Sequence, residues 1–215
     1  MQTLYFSPLA CSLATRVTLL EAGLEADFVE VNPHTKLMPD GGDYRAIHPL
    51  GLVPALRLDD GAVITENAAI LQYLAERSPV ELAPRDELGH TRLRQWLSFV
   101  GTELHKTVFL PLLGQDVPAG AKEHALSKAD ARLGFVADRL DGRDYLLERF
   151  SVADAYLFTV LNWAQVTPIE LQRWPSLTAF SKRMLARSAV ARAVAEEREL
   201  YAREVAAQRR QHPAA

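Results

Sequence analysis

One thiol and a few separated polar side chains are the groups in this chain that could do chemistry. Cys11 is the only cysteine among 215 residues, and it follows Leu4-Tyr5-Phe6-Ser7-Pro8-Leu9-Ala10 directly. Leu4 to Phe6 reads as a buried strand, Ser7-Pro8 breaks it, and Leu13, Val17, Leu20 and Leu24 have helical spacing. The thiol therefore sits where a strand hands over to the first turn of a helix. Free backbone N–H groups and the positive end of the helix dipole favour an anion there. A thiolate is such an anion. At about 1.36 kcal/mol per pKa unit, a dipole worth roughly 0.3–2 kcal/mol lowers the thiol by about one unit. Ser12 adds a hydroxyl able to donate to a thiolate. The alternative for Cys11 is a small buried hydrophobe.

A second chemical group lies at Glu66-Asn67, where another helical pattern begins. An acid in a first turn complements the dipole and needs no ligand. The functional alternative is an amino-acid-like ligand, its ammonium on Glu66 and its carboxylate on the helix N–H groups. Lys36 stands in a polar stretch from Asn32 to Asp43 that reads as a loop. Ser98, Thr102 and His105 fall at i, i+4 and i+7, on a polar face distinct from the apolar stripe Leu93, Trp96, Leu97, Val100, Leu104 and Val108. Such a face is either solvated or turned toward a cleft. Neutral imidazole at His105 could take a proton near neutral pH. Phe109, Leu113, Tyr156 and Trp163 are candidates for an apolar pocket wall, or else core.

The elements that must position these groups follow from pattern. Gly23 caps the first helix, and Asp27 to Val31 reads as a second strand, in a right-handed parallel crossover. Pro54 to Leu58 and Ala62 to Ile64 flank the turn signal Asp59-Asp60-Gly61 as a hairpin, and a helix follows from about Thr65. The order β-α-β, loop, β-β-α is that of a thioredoxin-like α/β domain, a small mixed sheet with helices on both faces. In that frame Cys11-Ser12-Leu13-Ala14 occupies the place of C-x-x-C, with Ala14 where a resolving cysteine would stand. A dithiol cycle cannot run within the chain, so any redox partner must bring its own thiol. The expected division is a thioredoxin-like domain over 1–78, a Pro-containing linker over 79–87 and an all-helical bundle over 88–215. Pro111 is expected to bend or end the first long helix there. Ser151-x-x-Asp154 reads as a capping box for an almost wholly apolar helix, which makes Asp154 structural.

Composition narrows the function classes. The net charge is −3 with no long basic run, so nucleic acid is not an expected partner. No apolar run approaches the ~20 residues that span a bilayer. Met1-Gln2-Thr3 lacks a basic leader region, and one cysteine excludes an internal disulfide or a cysteine-based zinc site. The expectation is a cytoplasmic protein in a reducing compartment, with no metal and no membrane partner.

Three separated motifs, Ser7-Pro8-x-Ala10-Cys11-Ser12, His48-Pro49-Leu50-Gly51-Leu52-Val53-Pro54-Ala55 and Ile64-Thr65-Glu66-Asn67-Ala68-Ala69-Ile70, resemble the bacterial beta-class glutathione transferases. Glu103-Leu104-His105-Lys106 and Phe150 to Tyr156 extend the resemblance nearly end to end. It implies a homodimeric enzyme that uses glutathione as co-substrate and conjugates its thiolate to small hydrophobic electrophiles. It implies that Cys11 lies beside the glutathione sulfur, with Ser12 and His105 as further candidates for activating it. Lys36 would reach the glycine end, Val53 would pair with the cysteinyl backbone before a cis Pro54, and Glu66 and Asn67 would hold the γ-glutamyl end. Ser98, Thr102, Glu103 and Lys106 complete the implied binding set, Glu103 lying toward the subunit interface. Asn67 and Ser98 depart from the family's usual small residue and Asn at those places. Two alternatives stand beside conjugation: a glutathione-dependent thiol–disulfide or peroxide reductase through a Cys11 mixed disulfide, and a non-enzymatic binder or stress-related interaction protein on the same fold.

Overall fold

The computed structural model describes the backbone of residues 1–211 and the side chains of residues 1–206. Its first third is built on β1 (Thr3–Phe6), α1 (Leu13–Ala22), β2 (Asp27–Glu30), β3 (Ala55–Arg57), β4 (Val63–Thr65) and α2 (Asn67–Arg77). The four strands lie in the order β2-β1-β3-β4. β1 pairs parallel with β2 and antiparallel with β3, and β3 pairs antiparallel with β4. Strand alternation explains the two faces. Leu4, Phe6 and Leu56 pack with Leu19 of α1 and with Ile70 and Leu74 of α2. Tyr5 and Ala55 point to the other side, against Val31 and Tyr44. That second face is covered not by a long helix but by one 3₁₀ turn, Tyr44–Ala46, because the polar chain from Asn32 to Asp43 supplies no apolar stripe.

The remainder is helical: α3 (Glu87–Phe99), a π-helical stretch (Val100–Phe109), α4 (Leu110–Leu113), α5 (Ala121–Leu140), α6 (Val152–Asn162), α7 (Pro175–Leu185) and α8 (Ser188–Gln211). The expected single long helix thus changes hydrogen-bond register halfway, and Thr107 Oγ1 donates to the Thr102 carbonyl five residues back at 2.8 Å. Pro111 neither ends nor breaks it at once; it sits in the first turn of α4, where its missing N–H costs nothing. α6 is buried from Val152 to Leu161. Asp154 starts it as the capping box predicts, accepting from Ser151 N–H at 2.9 Å and from the Ser151 hydroxyl at 2.9 Å. Its other oxygen accepts from Leu146 N–H at 2.8 Å, so one carboxylate ties the preceding loop to the helix start. Leu13, Val17 and Leu71 join the same apolar core as Trp96, Leu104, Leu157 and Phe180. No helix among the described residues is long and apolar enough to cross a membrane.

Candidate active site

A cleft of about 950 Å³ opens between the loops at one end of the sheet and the helices facing them. That is the upper end of the ~300–1,000 Å³ range of small-molecule sites, enough for a tripeptide and a second small molecule. From the sheet side it is lined by Cys11, Lys36, Val53, Pro54, Glu66 and Asn67. From the helical side Ser98, Thr102, His105, Lys106, Tyr156 and Trp163 face them. Sequence spacing alone could not bring these two sets together; the packing of α6 against the π-helical stretch and α1 does so.

Cys11 lies one turn before α1, and its Sγ–H donates to the Val53 carbonyl at 3.2 Å. Val53 precedes the cis peptide to Pro54. Burial is the dominant influence on the thiol and pushes it up to about 12, against the smaller downward pull of the Lys106 charge and the nearby N–H groups. The N–H groups at the helix start do lower the thiol as expected, but burial outweighs them: a dipole worth at most ~2 kcal/mol does not offset the desolvation of a thiolate.

Two further expectations change. Ser12 is fully buried, its hydroxyl donating to the Ser7 carbonyl at 3.2 Å and accepting from Ser7 N–H at 3.3 Å. It closes the turn between β1 and α1 and does not reach the cleft, so it is no donor to a thiolate there. The Asn67 side chain is also occupied: Oδ1 accepts from Thr15 Oγ1 at 2.8 Å and Nδ2 donates to the Cys11 carbonyl at 3.1 Å. Asn67 bridges the starts of α1 and α2. What it can offer a ligand is its backbone N–H, in the first turn of α2, where helix donors have no partner inside the helix.

Glu66 precedes α2 with φ +68, a conformation non-glycine residues adopt when the surroundings impose it. Its exposed carboxylate lines the cleft beside those N–H groups. Lys36 also has positive φ, and its half-buried stem runs along Gly51. A Cβ at Gly51 would sit 3.1 Å from Lys36 Cδ, and Gly51 itself has φ +62, which accounts for the glycine of that motif.

His105 lies in the π-helical stretch with Nδ1 2.8 Å from the Tyr156 hydroxyl and its ring centroid 4.9 Å from that of Trp163. Burial first, then the Lys106 charge, push its pKa down to about 4. The imidazole is therefore neutral at physiological pH and a weaker base than a free one, which favours the orienting role among those the sequence offers. It can polarise or orient. Lys106 lines the cleft with an exposed side chain. Ser98 and Thr102 line it too, although the Thr102 hydroxyl donates to the Ser98 carbonyl at 3.0 Å. Glu103 does not join them: it turns toward α5 and pairs with Arg132 at 2.6 Å. Leu113, Tyr156 and Trp163 form wall, whereas Phe109 is fully buried in the core. Among the described residues no His, Cys, Asp and Glu cluster has the makings of a metal site.

Residues 10–77 match the model of the glutathione S-transferase N-terminal domain, and residues 102–188 match that of the C-terminal domain. The chain belongs to the glutathione S-transferase family. It is 40% identical over 197 residues to glutathione S-transferase GstA of Escherichia coli O157:H7, across 90% of this chain and 98% of that one. Its backbone matches the ternary complex of BphK, a bacterial glutathione transferase, with TM-score 0.88 and 43% identity over 91% of this chain and 98% of that one. A bacterial beta class glutathione S-transferase of Sphingomonas chungbukensis matches with TM-score 0.86 and 39% identity over 91% and 98%. The resemblance read from the sequence motifs, beta class included, agrees with these findings. The thioredoxin-like domain followed by a helical one is the fold of this glutathione transferase.

Sequence reading passed over one cluster beside the cleft. Glu197 of α8 is fully buried and accepts from Leu9 N–H at 2.7 Å. The signal was there: Val190, Ala193, Val194 and Glu197 fall at i, i+3, i+4 and i+7, which puts an acid on the apolar stripe of α8.

Proposed function

We propose that this chain conjugates the thiolate of glutathione to small hydrophobic electrophiles. The observation that carries the reading is one cleft in which Glu66, the N–H groups of α2, Lys36 and the Cys11 thiol lie together. Glu66 takes the γ-glutamyl ammonium, and the first N–H groups of α2 take the neighbouring carboxylate. Lys36 takes the glycine carboxylate, and the Val53 backbone pairs with the cysteinyl residue. The glutathione sulfur then lies beside Cys11. The Cys11 S–H, which rests on the Val53 carbonyl, turns to the glutathione sulfur and serves there as a hydrogen-bond donor. Lys106 adds positive potential, and neutral His105, held by Tyr156, orients the site. The glutathione proton leaves to solvent. The bound thiolate attacks the electrophilic carbon, the carbon–sulfur bond forms, and the leaving group departs as an anion. Fixed donors and proximity carry the rate enhancement.

Leu113, Tyr156 and Trp163 form the wall for the electrophile. Two such chains form a homodimer in a reducing, cytoplasmic setting, each with a glutathione-binding domain over 1–78, a linker over 79–87 and a helical domain over 88–215. The test is conjugation of an activated aryl halide by the wild type and by Cys11→Ala. Turnover is expected in both, with the variant about tenfold slower, the worth of one hydrogen bond to a charged sulfur at about 1.5 kcal/mol. No turnover across a broad electrophile panel overturns the reading. Cys11 at the cleft surface also permits a mixed disulfide with oxidised glutathione; abundant adduct in intact-mass spectra, lost together with reductase activity in Cys11→Ala, would favour reduction instead.

A further inference from the structure

The loop that carries Cys11 is gripped at a single residue from two distant parts of the chain. Leu9 has φ +59, a conformation a leucine keeps only when its surroundings impose it. Its N–H donates to Glu197 Oε2 of α8 at 2.7 Å. Its carbonyl accepts from Trp163 Nε1, at the end of α6, at 2.8 Å. Glu197 is fully buried, and Arg16 of α1 stands 3.8 Å from its other oxygen with its guanidinium over the Phe28 ring. An acid buried to this degree needs a reason, and the reading of the cleft given above makes no use of it.

We propose that Glu197 is a positioning residue for the Cys11 thiol, acting with Trp163 by clamping the backbone on both sides of the Leu9 Cα, two residues before the sulfur. The inference rests on the cleft being the glutathione site. Leu9 and Cys11 are separated only by Ala10, whose N–H closes a turn onto the Ser7 carbonyl at 3.1 Å. A rotation of the Leu9 peptide is therefore delivered to Cys11 with little slack. Released from the clamp, the loop relaxes out of the left-handed conformation and Sγ loses its seat on the Val53 carbonyl. Burial pushes the Glu197 carboxyl up to about 8, so an amide of the same shape is a close substitute for it at Leu9 N–H. Glu196 next to it serves as the control. It too pairs with Arg16 across the α1–α8 contact, but it does not touch the loop.

The experiment compares wild type with Glu197→Ala, Glu197→Gln and Glu196→Gln. For each it records melting temperature, kcat and glutathione KM with an activated aryl halide, and the rate of Cys11 alkylation by iodoacetamide. Glu197→Ala is expected to lose up to about tenfold in kcat, no more than Cys11→Ala loses, while KM for glutathione shifts far less. Its Cys11 should alkylate about tenfold faster as the sulfur leaves its seat. Glu197→Gln should restore both, and Glu196→Gln should keep wild-type kcat even where its melting temperature falls. The proposal is overturned if folded Glu197→Ala keeps wild-type kcat and alkylation rate, or if Glu196→Gln reproduces its losses. Should Glu197→Ala not fold, Glu197→Asp withdraws the carboxylate by one methylene and takes its place. A wild type that conjugates nothing removes the proposed function alone; the alkylation rates still decide Glu197.

Discussion

The starts of α1 and α2 are a few ångströms apart in chemistry and opposite in electrostatic outcome. Asn67 links the two through Thr15 and the Cys11 carbonyl, but the first N–H groups of α1 already bond the preceding turn, Leu13 to the Ala10 carbonyl at 3.0 Å and Ala14 to the Cys11 carbonyl at 3.2 Å. At α1 the nearest ionisable group is a thiol held against Val53, and burial pushes it up to about 12. At α2 the nearest is the exposed Glu66 carboxylate. The start of α6 is a third case: Val152 N–H bonds the Leu82 carbonyl at 3.0 Å, and the Asp154 carboxylate takes the Ser151 and Leu146 N–H groups just before the helix. The lesson is that a helix start does not by itself create an anion site. What covers it decides: the preceding turn satisfies α1, a neighbouring loop and a capping box close α6, and α2 is left open to a ligand.

The contrast can be broken or sharpened by measurement. Cys11 in the unliganded protein should react with iodoacetamide at pH 8 at least ~100-fold more slowly than free cysteine, because a thiol at about 12 is almost wholly protonated there. Equal rates would erase the distinction between the two starts. Asp154→Ala should lose about 3 kcal/mol of unfolding free energy in urea, since buried Leu146 and Ser151 donors lose their acceptor. pH should separate His105 from the rest. Its folded pKa, about 4, lies below the unfolded value near 6.5. Its stability contribution is therefore complete above pH 6.5 and is lost as pH falls toward 4, where the unfolded chain takes the proton first. Relative to wild type, His105→Gln should gain about 3 kcal/mol over that fall, read from denaturation midpoints. Asp154, pushed up to about 6, acts with the opposite sign and loses stability as pH rises from about 4 to 6, equally in both proteins. Glu66→Ala should weaken glutathione binding by about 10–100-fold in calorimetry, the worth of a charged hydrogen bond, while leaving the fold intact. The smallest effect belongs to Thr15→Val. Removing the bond to Asn67 should cost about 1 kcal/mol of stability, and a larger loss in glutathione affinity than in stability would show that α2 is held open by that bond.

Most of the architecture was legible because its signals are local. The apolar run at Leu4 to Phe6, the turn at Asp59-Asp60-Gly61 and the Ser151–Asp154 box each state their element within a few residues. What sequence could not state was direction. Ser12 and Asn67 carry the polar groups a ligand would want, yet both face inward because neighbouring backbone groups reached them first. Glu103 lies two residues from His105 and points to another helix, and the register change into a π-helical stretch has no short-range signature that the apolar stripe reveals. The net shift of Cys11 was hidden for a related reason: the helix start is visible in a sequence, whereas the burial that outweighs it comes from an apolar core assembled largely from the second half of the chain.

The amide of Asn67 has a consequence for how such a protein can change. One side chain fixes both the pocket that would grip a ligand's amino-acid end and the ledge on which the reactive sulfur rests. Selection, natural or in the laboratory, cannot tune affinity at that position without also retuning reactivity, so variation in substrate preference should accumulate on the opposite wall, where Leu113 stands.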